Sequence, residues 1–337
     1  MHDSKYRGRF APSPTGPLHF GSLVAAVGSY LDARRRGGNW LVRMEDLDGP
    51  REAPGAAGAI LRMLEAYGFE WDGKVVFQSR RGAAYNAKLA RLEHAKAVFR
   101  CACTRREISD STMRFSDRTV IGDREAPLSP RGRGHEGGGA PSSPPGGEGR
   151  MPETVYPGTC RGGLPPGRAA RAVRVRVDNG VIAFNDALQG RIEQNLAREV
   201  GDFVVRRTDG LFAYQLAVVV DDFEQGITDV VRGADLLAST PRQILLQRLL
   251  GYPRPRYMHL PVAVNRNGEK LSKQTRATPL AIEDAPAQLV RALRFLGQEP
   301  PADLAAADIA EVWSWALSSW RTGAIPRQRS LPESAAR

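Results

Sequence analysis

Between Gly8 and Asp48 the chain reads GRFAPSPTGPLHFGSLVAAVGSYLDARRRGGNWLVRMEDLD, and no other stretch limits its possible folds so tightly. Pro12, Pro14, Gly16 and Pro17 forbid regular structure directly after an apolar strand that ends at Phe10 and Ala11. From Ser22 onward Leu23, Val24, Val27, Tyr30 and Leu31 recur at helical spacing until Gly37 and Gly38 stop the helix, and Trp40 to Met44 supplies a second strand. A helix entered through so tight a turn aims unpaired backbone N–H groups at the turn, where an anionic phosphate can sit and Gly21 admits close approach. His19 at that mouth can donate a hydrogen bond to charge growing on phosphate oxygens. A histidine buried and satisfied within the turn is the competing reading.

Strand and helix continue to alternate. Helices are expected over Gly55–Tyr67 and Arg81–Phe99, with Val75–Phe77 a short strand between them, which indicates an α/β fold on a parallel sheet. Ala172–Val177 alternates apolar and basic residues, and Asp178-Asn-Gly180 predicts a hairpin to Val181–Phe184. Phe203–Arg207 reads as a strand, and the apolar run Phe212–Val220 as a central strand buried on both faces, with Tyr214 its polar exception. Ser239–Leu250 is a capped helix closed by Gly251, and Arg254–Val264 leads to a turn at Asn265–Gly268. Helices over Pro286–Leu296 and Asp303–Leu317 precede a frayed polar tail.

Forty-eight basic against 37 acidic side chains leave a charge of +11 on 337 residues, which favours a polyanionic partner, although basic balance has bland causes too. No apolar run approaches about 18 residues and none of signal type opens the chain, so a cytoplasmic protein without a membrane span is expected. Three cysteines suit a reducing compartment. Cys101, Cys103 and Cys160 with one further donor satisfy tetrahedral zinc, and free buried thiols are the alternative. Residues 105–155 are rich in Gly, Pro, Ser and Arg, and a disordered loop is expected over 110–152; its arginines either touch RNA or keep it solvated, and His135 within it is not assigned as a ligand. Arg168, Arg171, Arg174 and Arg176 form a basic stripe that is either an RNA contact or a wet face. Glu45, Asp46 and Asp48 end the second strand, where carboxylates read ligand groups in open α/β sheets; for Asp46 and Asp48 a helix-cap role stands equal.

The segment Arg9 to Ser22, RFAPSPTGPLHFGS, resembles the HIGH-type signature of class I aminoacyl-tRNA synthetases in its glutamyl form. Lys270-Leu-Ser-Lys273-Gln274 resembles the KMSKS signature of that class, with Leu271 in place of Met and Gln274 in place of Ser. The likeness covers about residues 1–104 and 156–300 and implies a Rossmann-like parallel sheet split by a zinc-containing, tRNA-contacting insertion, with a short helical C-terminal region. The implied division is 1–100 and 191–280 for the halves of the catalytic domain, 101–190 for the insertion and 281–337 for the helical region. By the same resemblance His19, Gly21, Ser22, Lys270, Ser272 and Lys273 hold ATP with Mg²⁺, and His19 and Lys273 act in catalysis. Arg9, Phe10, Ala11, Pro12, Ser13, Glu45, Tyr214 and Arg232 hold L-glutamate, and Cys101, Cys103, Tyr156 and Cys160 hold one structural Zn²⁺ in a CxC…YxxxC pattern. About 60 residues follow Gln274, where full-length glutamyl enzymes carry roughly 150 or more into an anticodon-binding domain. The match is therefore to the short glutamyl subfamily, which forms glutamyl-adenylate without tRNA and glutamylates queuosine in the anticodon of tRNA(Asp), acting as a monomer. A short synthetase charging the tRNA 3′ end, a small-molecule adenylyltransferase and a non-catalytic binder on this fold are the alternatives.

Overall fold

The computed structural model describes residues 5–108, 155–271 and 277–336. The expected disordered loop over 110–152 lies outside the described residues, as do Ser272 and Lys273. Strand β1 (Arg7–Phe10) runs parallel to β2 (Asn39–Met44), with Arg7 opposite Asn39 and Phe10 opposite Val42, and β3 (Val76–Phe77) extends the sheet beyond β2. Helix α1 (Phe20–Arg35) makes the crossover between β1 and β2. The second half places β9 (Asp229–Gly233) parallel to β10 (Arg256–Leu260), then β6 (Val181–Asp186) parallel to β10 and β7 (Gly190–Asn195) antiparallel at the edge. The halves meet where β9 starts beside β1, the Thr228 N–H donating to the Arg7 carbonyl at 3.0 Å. Strands of both halves thus end at one rim, where ligands bind in open parallel sheets.

Four expectations need correction. The third helix, α3 (Gly82–His94), stops five residues early: Lys96 takes a positive φ, Ala97 N–H reaches back to the Leu92 carbonyl, and Val98–Cys101 leaves as strand β4. No hairpin forms across Asp178–Gly180. Strand β5 (Ala172–Val175) pairs with β4 and with β8 (Val204–Arg206), while β6 turns back into β7 and joins the catalytic sheet through β10. The apolar run Phe212–Val220 is not a central strand but most of helix α4 (Tyr214–Glu224), whose Leu216–Val220 is buried where it packs on α3, α5 (Thr240–Leu250) and β8. A short apolar run carries no period, so strand and buried helix look alike in it. The tail is not frayed either: β12 (Ser330–Pro332) pairs in parallel with β11 (Val262–Val264), and Ala336 is buried.

Helix α1 buries most of its circumference, since α6 (Ala285–Phe295) and α7 (Ile309–Ser319) pack on the side away from the sheet. Trp313 of α7 reaches Tyr30 and Phe69, with ring centroids 4.9 Å away in each case, and its Nε1 donates to the Tyr67 carbonyl. Each such aromatic buries enough apolar surface to contribute about 2–3 kcal/mol. The C-terminal helices are therefore part of the core that fixes the direction of α1.

Candidate active site and metal centre

A cleft of about 560 Å³ opens at the strand rim. Its walls include Arg9, Phe10, Ala11, Pro12 and Ser13 from the end of β1 and the turn, His19, Gly21 and Ser22 from the mouth of α1, Glu45 after β2, Tyr214 at the start of α4, Arg232 on β9, and Lys270. All the described residues predicted to hold ATP or glutamate are thus brought together. His19 is the N-terminal flanking residue of α1, extended at φ −128°, and its Nε2 lies 3.3 Å from Ser22 Oγ. A Cβ at Gly21 would stand 3.2 Å from the imidazole, so any larger residue there would press the ring away by a few tenths of an ångström. Lys270 pairs with Asp235 at the opposite lip.

Beneath the cleft lies a charge cluster that the sequence reading did not contain. Arg9 donates through Nε to Asp222 at 3.1 Å, and the fully buried Arg43 approaches Asp222 at 2.8 Å and Glu45 at 3.5 Å. Burial alone would raise the Asp222 carboxyl, but Arg9 and Arg43 outweigh it and hold it below the usual carboxylate range. Burial pushes Glu45 up to about 7 despite the opposing charges of Arg43 and Arg9. A nearly buried carboxylate balanced so closely can accept an ammonium group by giving up its proton. Burial, and next the charge of Glu45, push the Tyr214 phenol up.

Arg232 is buried and held on three sides, by His259 Nε2 at 3.1 Å and by Thr240 Oγ1 and Gln243 Oε1 at 2.8 Å each; through Nη1 it donates to the Tyr214 hydroxyl at 3.3 Å. A guanidinium fixed in this way is suited to a carboxylate. Thr240, Gln243, His259, Arg43 and Asp222 all escaped sequence reasoning; the one available signal was the acidic pair Asp221-Asp222 at the end of an apolar run. Asp46 and Asp48 do not line the cleft. Asp46 accepts from the Ser79 N–H and hydroxyl, while Asp48 pairs with Arg51 and Arg207 and caps the short turn Gly49–Arg51 by position only, without a side-chain bond.

The four predicted metal ligands gather away from the cleft. The Sγ atoms of Cys101, Cys103 and Cys160 lie within 4.8 Å of one another, that of Cys103 being 3.6 Å from that of Cys160. The Tyr156 hydroxyl stands 3.4 Å from Cys101 Sγ and 3.8 Å from Cys103 Sγ, and it accepts the Cys160 N–H at 2.9 Å. Tetrahedral coordination at about 2.3 Å per thiolate requires donors about 3.8 Å apart, so the cluster fits and can hold a metal ion. Burial raises the Cys101 thiol, but its hydrogen bonds with Tyr156 and the Cys103 backbone and the nearby Arg174 outweigh it, leaving it below the usual range; burial pushes Cys103 up to about 11. The Arg174 guanidinium stacks 4.1 Å over the Tyr156 ring, and that of Arg176 4.9 Å over Phe99, so two members of the basic stripe cover this module.

With this geometry established, likeness to known proteins is specific. The family model for class I tRNA synthetases (E and Q), catalytic domain, matches residues 5–125 and 167–314. A protein of Dechloromonas aromatica named glutamyl-Q tRNA(Asp) synthetase is 60% identical over 326 residues, 97% of each chain, and one of the same name from Aromatoleum aromaticum is 55% identical over 323 residues, 96% of this chain and 91% of that one. Among solved structures, a glutamate tRNA ligase of Elizabethkingia meningosepticum in complex with its amino acid superposes with a TM-score of 0.73 at 23% identity, covering 99% of this chain and 68% of the other, a likeness of fold. No described helix is long and apolar enough to cross a membrane. A strand, a proline-broken turn and a histidine at a helix mouth, on a parallel sheet whose relatives match from end to end, make the chain a ligase of the aminoacyl-tRNA synthetase type that belongs to the glutamyl-Q tRNA(Asp) synthetase family of class I.

Proposed function

We propose that the protein activates L-glutamate with ATP, without tRNA, and transfers the glutamyl group to the cyclopentenediol of queuosine in the anticodon of tRNA(Asp). The observation that carries this reading is the pairing of Arg232 and Tyr214 at one wall of the cleft with Glu45 at another, in a chain 60% identical to a protein of that name. Glutamate has one charge for each wall: its side-chain carboxylate for Arg232 and Tyr214, and its ammonium for Glu45, with Arg9 and Ser13 beside it. An oxygen of the α-carboxylate attacks the α-phosphorus of ATP, the bond to the β-phosphate oxygen breaks and pyrophosphate leaves. His19 donates to the phosphate oxygens as charge builds, and Lys270 with Lys273 supplies further positive charge. Mg²⁺ accompanying ATP neutralises part of the phosphate charge. A queuosine hydroxyl then attacks the glutamyl carbonyl carbon and AMP departs.

In the same reading Cys101, Cys103, Tyr156 and Cys160 hold one Zn²⁺ that ties the residues on either side of the insert together, and residues 101–190 meet the tRNA. The protein works as a monomer in the cytoplasm. Labelled glutamate and ATP supplied with tRNA from queuosine-containing and queuosine-lacking cells test the assignment. Label on tRNA(Asp) from the first source alone is the expected result; label on tRNA(Glu) from both sources overturns it.

A further inference from the structure

Three neighbouring parallel strands carry a polar relay that runs away from the cleft. Arg232 on β9 lies directly opposite His259 on β10, and Asp186 ends the next strand, β6. Asp186 and His259 are buried and neither lines the cleft. Arginine has five N–H donors, and four of those on Arg232 are used: Nε on His259 Nε2, both of Nη2 on Thr240 and Gln243, and one of Nη1 on Tyr214. Among the described residues the second Nη1 N–H and the proton of the Tyr214 hydroxyl have no protein acceptor. Two donors, against at most the remaining lone pair of the Tyr214 oxygen, are what this pair offers the cleft.

That arrangement depends on the state of His259. Arginine does not release its Nε proton, so His259 Nε2 must carry a lone pair and the ring proton must sit on Nδ1, 2.6 Å from Asp186 Oδ2. Burial, and next the charge of Arg232, push His259 down to about 4, so the ring stays neutral. Asp186 cannot rotate away, because its Oδ1 accepts the backbone N–H groups of Leu188 at 3.0 Å, Gln189 at 2.9 Å and His259 at 3.2 Å. We infer that Asp186 and His259 are positioning residues for side-chain selection: Asp186 sets the His259 tautomer, the tautomer aims Arg232, and the remaining donors accept a carboxylate and reject a carboxamide. The inference rests on the reading of Arg232 as the holder of the substrate side chain. A glutamine amide would turn its NH₂ against donors and leave them unpaired, a mismatch that discriminates strongly.

Asp186→Asn is the sharpest test. Three N–H groups face Oδ1, so the asparagine must put its carbonyl there and its NH₂ against Nδ1, which moves the ring proton to Nε2 and sets it against the Arg232 Nε–H. Ring nitrogen shifts in ¹⁵N-histidine-labelled protein report the tautomer, and pyrophosphate exchange with glutamate or glutamine reports selection. The expected results are Nδ1–H in the wild type and Nε2–H in the variant, a glutamate KM raised about tenfold or more, a glutamate-over-glutamine ratio of kcat/KM lowered about tenfold or more, and an unchanged KM for ATP. His259→Gln, which keeps an acceptor at the Nε2 position, should retain the ratio within about threefold, whereas His259→Leu should lose it. A wild-type ring protonated on Nε2, a reversed tautomer with unchanged glutamate KM, or a His259→Leu variant as selective as the wild type would each overturn the inference. Arg232→Ala in the same assay separates the two levels. If it leaves the glutamate KM unmoved, the reading of Arg232 falls and the inference with it; if it raises that KM while Asp186→Asn and His259→Leu do not, the positioning role alone falls.

Discussion

His19 stands at the mouth of α1 with its ring against Gly21, and the proposed reaction has it donate to phosphate oxygens as charge builds. His19→Ala should therefore lower kcat for glutamate-dependent pyrophosphate exchange by about 100-fold or more while shifting the glutamate KM little. Glu45 gives a pH dependence of definite sign. Pushed up to about 7 by burial, it holds its proton at low pH in the free protein and ionises as pH rises through that value. An ammonium ligand needs the ionised form, so the glutamate KM should fall about tenfold between about pH 6 and pH 8, and Glu45→Gln should flatten that profile. For folding the sign is opposite: the folded value lies above the ordinary 4.5, so the stability Glu45 contributes is full below that value and is lost as pH rises through about 7. Urea midpoints across this window, compared with those of Glu45→Gln, measure it. Both residues were legible in the sequence because they sit in one contiguous stretch around a turn. Asp222 was not, since its partner Arg9 is 213 positions away, nor was the bond between His259 and Asp186, 73 positions apart.

Among the elements, α1, β1 and β2 were readable because prolines and glycines bound them. Helix α4 was not, because its apolar run Leu216–Val220 is too short to show a helical period. The link from α3 to β4 was hidden for a different reason: the reversal is made by Lys96 at φ 54°, a conformation that lysine does not announce. The end of α6 shows a glycine doing what no other residue can. Gly297 has φ +71°, and a Cβ there would lie 2.2 Å from the Ala324 carbonyl oxygen. Gly297→Ala should cost about 2–4 kcal/mol, from strained backbone and a forced shift of the 322–326 segment, and chemical denaturation should show it as a lower midpoint.

For the molecule as a whole, two hydrophobic cores flank the catalytic sheet and a third, smaller cluster consists largely of the cysteine module. So small a cluster gains little from burial, and a bound metal would be its main support. Metal analysis should find about one zinc per chain, and chelation should lower the melting temperature and slow transfer to tRNA while leaving pyrophosphate exchange within about threefold. The +11 charge was readable as a sign of a polyanionic partner, but which arginines face outward was not, because Arg174 and Arg176 are spent partly on aromatic rings. The pairing of β12 with β11 was hidden as well, since Ser330 to Pro332 has no strand signature of its own. It bears on how the protein is best handled. Val264, at the end of β11, bridges to Lys270, so the last strand braces the very segment that enters the second lysine signature. A version trimmed before Ser330 would lose that brace together with the burial of Ala336.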